Sequence, residues 1–323
     1  MGMNPPISDS ISSSEFAYLS DVSPRDKPWD THRSKTETVS ELYRKMEYNR
    51  YFERIQDCSK RLAFTLEDSV KEGKKLKLTA AMFCRVRHCP VCQWRRALMW
   101  RARLFKALPK IISDYPTYRY IFLTLTVKNP PLSELKSTIG LMNKAWAKLV
   151  RRKVFPAKGW IKSLEVTREE SGFTHPHFHI VLIVPSSYFS GYAYLTQKQW
   201  TELWKSSLKI NYTPIVNVSA VKLKKKTKSL DEIKKLLTKL VTEVLKYTIK
   251  ESDLVFNAEW LMGLTQQLHK VRAIALGGIF KQYLSVEEPE DLISESCETV
   301  NINKVDSHFL FDWKNEVKRY QSI

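Results

Sequence analysis

The 323-residue chain has no apolar run long enough to cross a bilayer. Its longest, Ile121–Val127 with two threonines and Ile180–Val184, suit buried strands. No basic segment followed by an apolar core appears after Met-Gly-Met-Asn-Pro-Pro, so a secretory signal is not expected and an intracellular location is. No internal repeat is evident. Cysteine is scarce, with five in all, and in a cytosolic chain these do not make a disulfide framework. Acidic residues are also few: 34 Asp and Glu stand against 53 Lys and Arg, a formal net charge of +19. Apolar content of 43% excludes a wholly disordered protein and predicts one or two domains with a proper core.

The imbalance of charge is local. Residues 1–40 have net charge −2 and residues 284–310 net −6, whereas 41–283 hold 45 basic and 19 acidic side chains, net +26. A merely soluble surface mixes its signs. Tryptophan and tyrosine are scattered through the basic block, and bases stack on such rings while neutralised phosphates release counterions. Nucleic acid is the expected partner.

Residues 1–40, rich in Ser, Pro and Asp, read as a flexible tail. Residues 41–110 form a segment expected to bind zinc and DNA, helical from Glu41 to Leu66 and then rich in Cys and Arg. Over 111–283 strands and helices alternate. Strands are predicted at Tyr120–Val127, Trp160–Arg168, Pro176–Val184 and Ile215–Leu223. The helix Ser133–Arg152 carries Leu135, Ile139, Met142, Trp146 and Leu149 at steps of four and three. A second helix, Gln197–Leu208, opens on a Thr196/Gln199 capping box, and a third runs from Leu230 to about Glu251 behind Ser229/Glu232. Residues 255–283 look helical, and 284–323 read as an acidic linker and C-terminal tail. This order predicts an α+β fold, with helices packed on one face of a central, mainly antiparallel sheet and the other face open to substrate.

In His175-Pro176-His177-Phe178-His179 the strand period puts the three histidines on one face and Phe178, Ile180, Leu182 and Val184 on the other. Two imidazoles and a third ligand make a half-open site for a divalent cation. Glu165, one strand earlier, points with the histidines, because Leu164 and Val166 face the core. The short Glu169–Thr174 connection makes the two strands antiparallel neighbours. On the late helix Lys239, Glu243, Lys246, Tyr247 and Lys250 share one face. Positive charge around Tyr247 favours a phenolate, the form a nucleophile toward phosphorus needs, and Glu243 lies one turn before it.

Three cysteines cluster as Cys84, Cys89 and Cys92 around a Cys-Pro-Val-Cys knuckle, the pattern of a structural zinc site, with Cys58 or His88 as the fourth ligand. Cys297 looks incidental. The helix that follows carries Arg95, Arg96, Arg101 and Arg103 among Trp94 and Trp100, and a second basic cluster includes Lys224, Lys225 and Lys226. Both are expected to touch DNA.

These residues together resemble the HUH endonucleases (His, bulky hydrophobe, His), and within them the rolling-circle replication initiators of small bacterial plasmids. Phe122–Val127 looks like that family's first motif, Thr174–Ile183 its second and Glu243–Tyr247 with Lys250 its third, and the Cys segment is also similar. The resemblance implies an RRM-like sheet, a cytoplasmic location, plasmid origin DNA as substrate and a host helicase as partner. It also implies Mg²⁺ or Mn²⁺ on His177, His179 and Glu165, with Tyr247 as the single nicking tyrosine forming a 5′-phosphotyrosine. Glu243 would then help water in termination, Lys250 would neutralise charge and Lys246 would contact DNA. His175 is a spare histidine, and Tyr188, Tyr192 and Tyr194 are weaker nucleophile candidates. A transposase or relaxase shares this chemistry. Two other readings compete: a histidine-triad nucleotide hydrolase, and a non-catalytic zinc-containing DNA-binding regulator.

Overall fold

Pro28 opens the first long helix, α1 (Pro28–Lys45), where its missing N–H removes no helical bond. Trp29, His32, Thr36, Val39 and Tyr43 recur every three or four residues along it and are all buried. The expected flexible tail over 1–40 is therefore incorrect for its described part. The few apolar residues of that segment sit at helical spacing, which its average composition hides.

The computed structural model describes residues 17–69, 73–221, 235, 238, 249, 251–284 and 309–323. After α1 come α2 (Asn49–Gln56), β1 (Arg61–Ser69), β2 (Gly73–Ala81), α3 (Pro90–Asp114), β3 (Arg119–Thr126), α4 (Leu135–Val150), β4 (Gly159–Arg168) and β5 (Thr174–Val184). Then follow α5 (Gln197–Leu208), β6 (Val216–Ala220), α6 (Ala258–Gln267), β7 (Ile274–Gly278), α7 (Ile279–Leu284), β8 (Phe309–Lys314) and β9 (Arg319–Ser322). No described helix is long and apolar enough to cross a membrane. The chain divides into two compact units, one of residues 1–95, 254–262 and 289–323, the other of 96–253 and 263–288.

The first unit contains an antiparallel sheet in the order β2-β1-β8-β9. Two expectations fail here. The helix predicted to Leu66 gives way to β1, and the C-terminal tail is a hairpin in the same sheet. Ile55, Leu62 and Leu66 have helical spacing, but pairing with β2 on one edge and with β8, some 250 residues away, on the other decides the outcome. Arg61 grips Asp312 through Nε and Nη2 at 2.6 and 2.8 Å. Phe311, Trp313 and Tyr320 are buried, and the Tyr320 hydroxyl donates to the Ser59 carbonyl at 2.6 Å.

The second unit holds a five-stranded antiparallel sheet in the order β6-β3-β5-β4-β7. Its first four strands and α4 fall where the period predicts, and both halves of the α5 capping box form. One face receives α4 and α5. Trp146 lies 5.2 Å from Trp160, and Trp204 packs on Phe178 while its Nε1–H donates to the Thr126 carbonyl at 2.8 Å. The α+β class is as expected, with one addition: the second face is also partly covered. Its Tyr120, Ile161, Val181 and Ile183 form a buried cluster with Leu104, Leu108 and Ile111 of α3 and Ile279, Phe280 and Leu284 of α7. Residues 255–283 are not helical throughout, because Gly278, at φ +54°, turns β7 into α7 in a conformation that other residues rarely adopt.

Candidate functional site

Strands β4 and β5 meet through a tight turn in which Gly172 takes φ +81° and Glu169 and Phe173 close the hairpin. That turn fixes the register. Glu165 pairs with His177, and His179 pairs with Ser163 on one side and Thr124 on the other. Directly paired residues share a face, so the carboxylate and both imidazoles converge. One carboxylate oxygen, Glu165 Oε2, lies 2.7 Å from His179 Nε2 and 3.2 Å from His177 Nε2. Glu165 and His177 are buried, and His179 nearly so.

Burial alone would raise the Glu165 carboxyl, but the hydrogen bonds from His177 and His179 outweigh it and hold the group well below the usual carboxylate range. His177 Nδ1 faces the carbonyl of His175 at 3.1 Å, and a carbonyl only accepts, so Nδ1 carries a proton. The space between the two Nε2 atoms and a carboxylate calls for positive charge, either protons on the rings or a metal cation, and these three residues could hold one. This donor set fits a divalent ion with positions left for substrate.

Behind the pair, on the opposite face, Phe178 is pinned by the Lys162 ammonium 3.7 Å from its ring. Lys162 also donates to Asn143 Oδ1 at 2.5 Å, and burial lowers it to about 8. His175 is not in the converging group. Its Nδ1 lies 2.6 Å from Asn129 Oδ1, and burial and then the neighbouring His177 lower its pKa. Asn129, Thr124 and Lys162 were missed in the sequence, and only the Lys-Asn-Pro-Pro turn before α4 marked one of them. Ile249 forms a parallel bridge with Val166, next to Glu165, and the Arg168 N–H donates to Asp253 Oδ2 at 3.0 Å. The proposed catalytic residues Glu243, Tyr247 and Lys250, with Lys246 and Lys224–Lys226, lie outside the described residues, as does Cys297.

In the first unit Cys58, Cys84, Cys89 and Cys92 gather into a second group that could hold a metal. Sulfur–sulfur distances of 3.6 Å join Cys58 to Cys89 and Cys92, and Cys84 to Cys92. All four are buried, and the fourth position belongs to Cys58, not His88. Backbone N–H groups of Cys84 and Arg85 point at Cys58 and Cys92 sulfurs, and the Thr36 hydroxyl lies 3.7 Å from Cys89. Burial pushes the Cys84 thiol up. At Cys89 burial is overcome by hydrogen bonds from Cys58, Cys84 and Cys92, which lower that thiol.

The replication protein family matches residues 75–321, a span that includes both groups except for Cys58. The chain belongs to the replication protein family. The "Protein rep" of Streptococcus pneumoniae serotype 2 is 32% identical over 292 residues, 87% of each chain. That of Lentilactobacillus hilgardii is 32% identical over 317 residues, 94% of this chain and 98% of its own. A "Replication protein" of Staphylococcus aureus is 30% identical over 199 residues, 58% of this chain and 82% of its own. No solved structure matches. The resemblance to plasmid replication initiators stands.

In this replication protein the arginines expected to meet DNA differ in setting. Arg95 lies 5.4 Å from the Trp29 ring and 5.7 Å from Phe83, a half-buried cation–π position within the first unit. Arg101 is exposed, while Arg96 is half-buried and so is Arg103, which stacks on Trp100 at 5.3 Å. Tyr188 is a poor nucleophile. It is buried, its hydroxyl is engaged by Leu195 and Trp200, and burial raises its pKa.

Proposed function

We propose that this replication initiator nicks one DNA strand at a plasmid origin and rejoins strands at termination. The observation that carries the reading is the convergence of His177 Nε2, His179 Nε2 and a charged Glu165 oxygen on one point. A divalent ion, Mg²⁺ or Mn²⁺, would supply Lewis-acid polarisation of a non-bridging phosphate oxygen there. The His175 backbone carbonyl orients the His177 ring through Nδ1, and Phe178 anchors that strand from behind. Tyr247 is the proposed nucleophile. Its oxygen bonds to phosphorus as the bond to the 3′ oxygen breaks, leaving a 5′-phosphotyrosine and a 3′-hydroxyl that primes synthesis. Glu243 would take a proton from water to release the link, and Lys250 would offset charge on the phosphoryl group.

What supports Tyr247 is its chain position. Ile249, two residues on, bridges to Val166, and two residues span at most about 7 Å. The test is supercoiled plasmid carrying the cognate origin. With divalent ion it should become open circles with protein on the 5′ end, and without the ion it should stay supercoiled. Unchanged topology in both cases would favour a DNA-binding regulator.

We also propose zinc for the four-cysteine group, since four thiolates at tetrahedral spacing form a closed structural site. Structural zinc contributes about 10–16 kcal/mol in small domains. Cys58→Ser should therefore lose bound zinc and several kcal/mol of stability in urea titration, whereas Cys297→Ser should do neither.

A further inference from the structure

We propose that a groove between the C-terminal half of α3 and α7 is a second nucleic-acid site, holding a single DNA strand by its phosphates away from the nicking centre. The proposal rests on reading the chain as one that acts on DNA. The groove encloses about 560 Å³ and is lined by Arg103, Lys106, Lys110, Asp114, Gln282 and Tyr283. The three cations step by three and four residues, so they form one row on α3.

An ordinary solvated helix face mixes its signs. Between Arg95 and Lys110 this helix has six basic residues and no acidic one, and a polyanion relieves self-repulsion on that scale. Asp114, at the end of the row, does not supply it. Its Oδ2 accepts the Tyr283 hydroxyl at 2.5 Å. That bond instead fixes the tyrosine ring as a wall of the groove, with the Lys110 ammonium 5.8 Å from its centroid. A charged row beside a held aromatic ring is what a single strand requires, with phosphates along the cations and a base against the ring.

The groove also lies on the histidine face of the sheet. His179, Val181 and Ile183 alternate along β5, and Ile183 belongs to the cluster beneath α3 and α7. From His179 to Ile183 is about 13 Å along a strand, a short path for DNA to cover.

The test uses the full chain in EDTA, so that nicking cannot contribute, with fluorescent oligothymidylate titrated over a range of salt. Removing both lysines (Lys106→Ala with Lys110→Ala) should make the log–log salt slope shallower by about 1.4, or 0.7 for each single-strand phosphate no longer neutralised. Arginine at both positions should restore it. Tyr283→Ala should weaken binding about tenfold, the effect of taking away one stacked ring, and Tyr283→Phe, which keeps the ring and loses only its tether to Asp114, should weaken it by less. Unchanged slope and affinity in a folded lysine variant would overturn the proposal, and so would weakening confined to duplex DNA. Origin nicking with unchanged slopes would remove the groove and leave the nickase. Altered slopes in a protein that never nicks would do the reverse.

Discussion

His177→Ala and His179→Ala should each cut metal-dependent origin nicking by roughly a thousandfold, the several kcal/mol that a Lewis-acid ion supplies to charge on a phosphoryl group. The reason is geometric. Both Nε2 atoms address the same Glu165 oxygen, so losing one ring removes a ligand and strips a hydrogen bond from a buried carboxylate. Glu165 would then bind protons more readily, since those hydrogen bonds are what depress it. Two readouts separate this from unfolding: calorimetric titration with Mn²⁺, where affinity should collapse, and circular dichroism, which should not change. His175→Ala is the control. That side chain is held by Asn129 outside the converging group, and the carbonyl it presents to His177 belongs to the backbone. Nicking that persists at parental rate in both ligand variants would remove the ion site.

The sequence made the centre of this site legible because a hairpin is a local structure. Alternation set the histidines on one face, Gly172 closed the turn and the register followed, bringing Glu165 opposite His177. The helix of Leu135–Val150 was readable for the same reason, since its apolar stripe is complete within one segment. The misreadings share a different cause. β1 is a strand because β2 pairs along nearly all of it, and Asp312 and Phe311 come from the far end of the chain to its other edge, where no window around Leu62 contains them. Trp29 and Val39 look like isolated apolar residues in a polar stretch until the helix aligns them. Cys58 and His88 could not be separated as the fourth ligand by spacing alone. The choice depends on where the end of α2 brings residue 58, and there Arg33 fixes its carbonyl at 2.6 Å. The second cover on the histidine face escaped notice because Leu104, Leu108 and Ile111 lie in a helix whose basic residues dominate its composition.

Tyr247→Phe should abolish the covalent adduct between protein and a labelled single-stranded origin oligonucleotide, with binding of that oligonucleotide in EDTA kept within about twofold, as expected for a change that removes one hydroxyl and keeps the ring. Losing one oxygen removes the only atom that can bond to phosphorus, so the effect on adduct formation is complete, not graded. The competing tyrosines are distinguishable in the same gel. Tyr188 is buried with its hydroxyl shared between Leu195 and Trp200, so it can neither reach DNA nor ionise readily. Tyr192 is fully exposed and Tyr194 about half so, and an adduct surviving in Tyr247→Phe would pass the role to one of these. Against them stands the chain itself. Residue 249 is tied to Val166 beside the Glu165 carboxylate, and the Arg168 N–H holds Asp253 a few residues on. Two residues of chain cannot carry Tyr247 more than about 7 Å from that tether, whereas no comparable tether links residues 192 and 194 to the histidine end of β5 among the described residues. Glu243→Ala adds the second half of the argument. If Glu243 serves water in release, this variant should still form the adduct on Tyr247 and accumulate it, and failure to form it would place Glu243 in the first step instead.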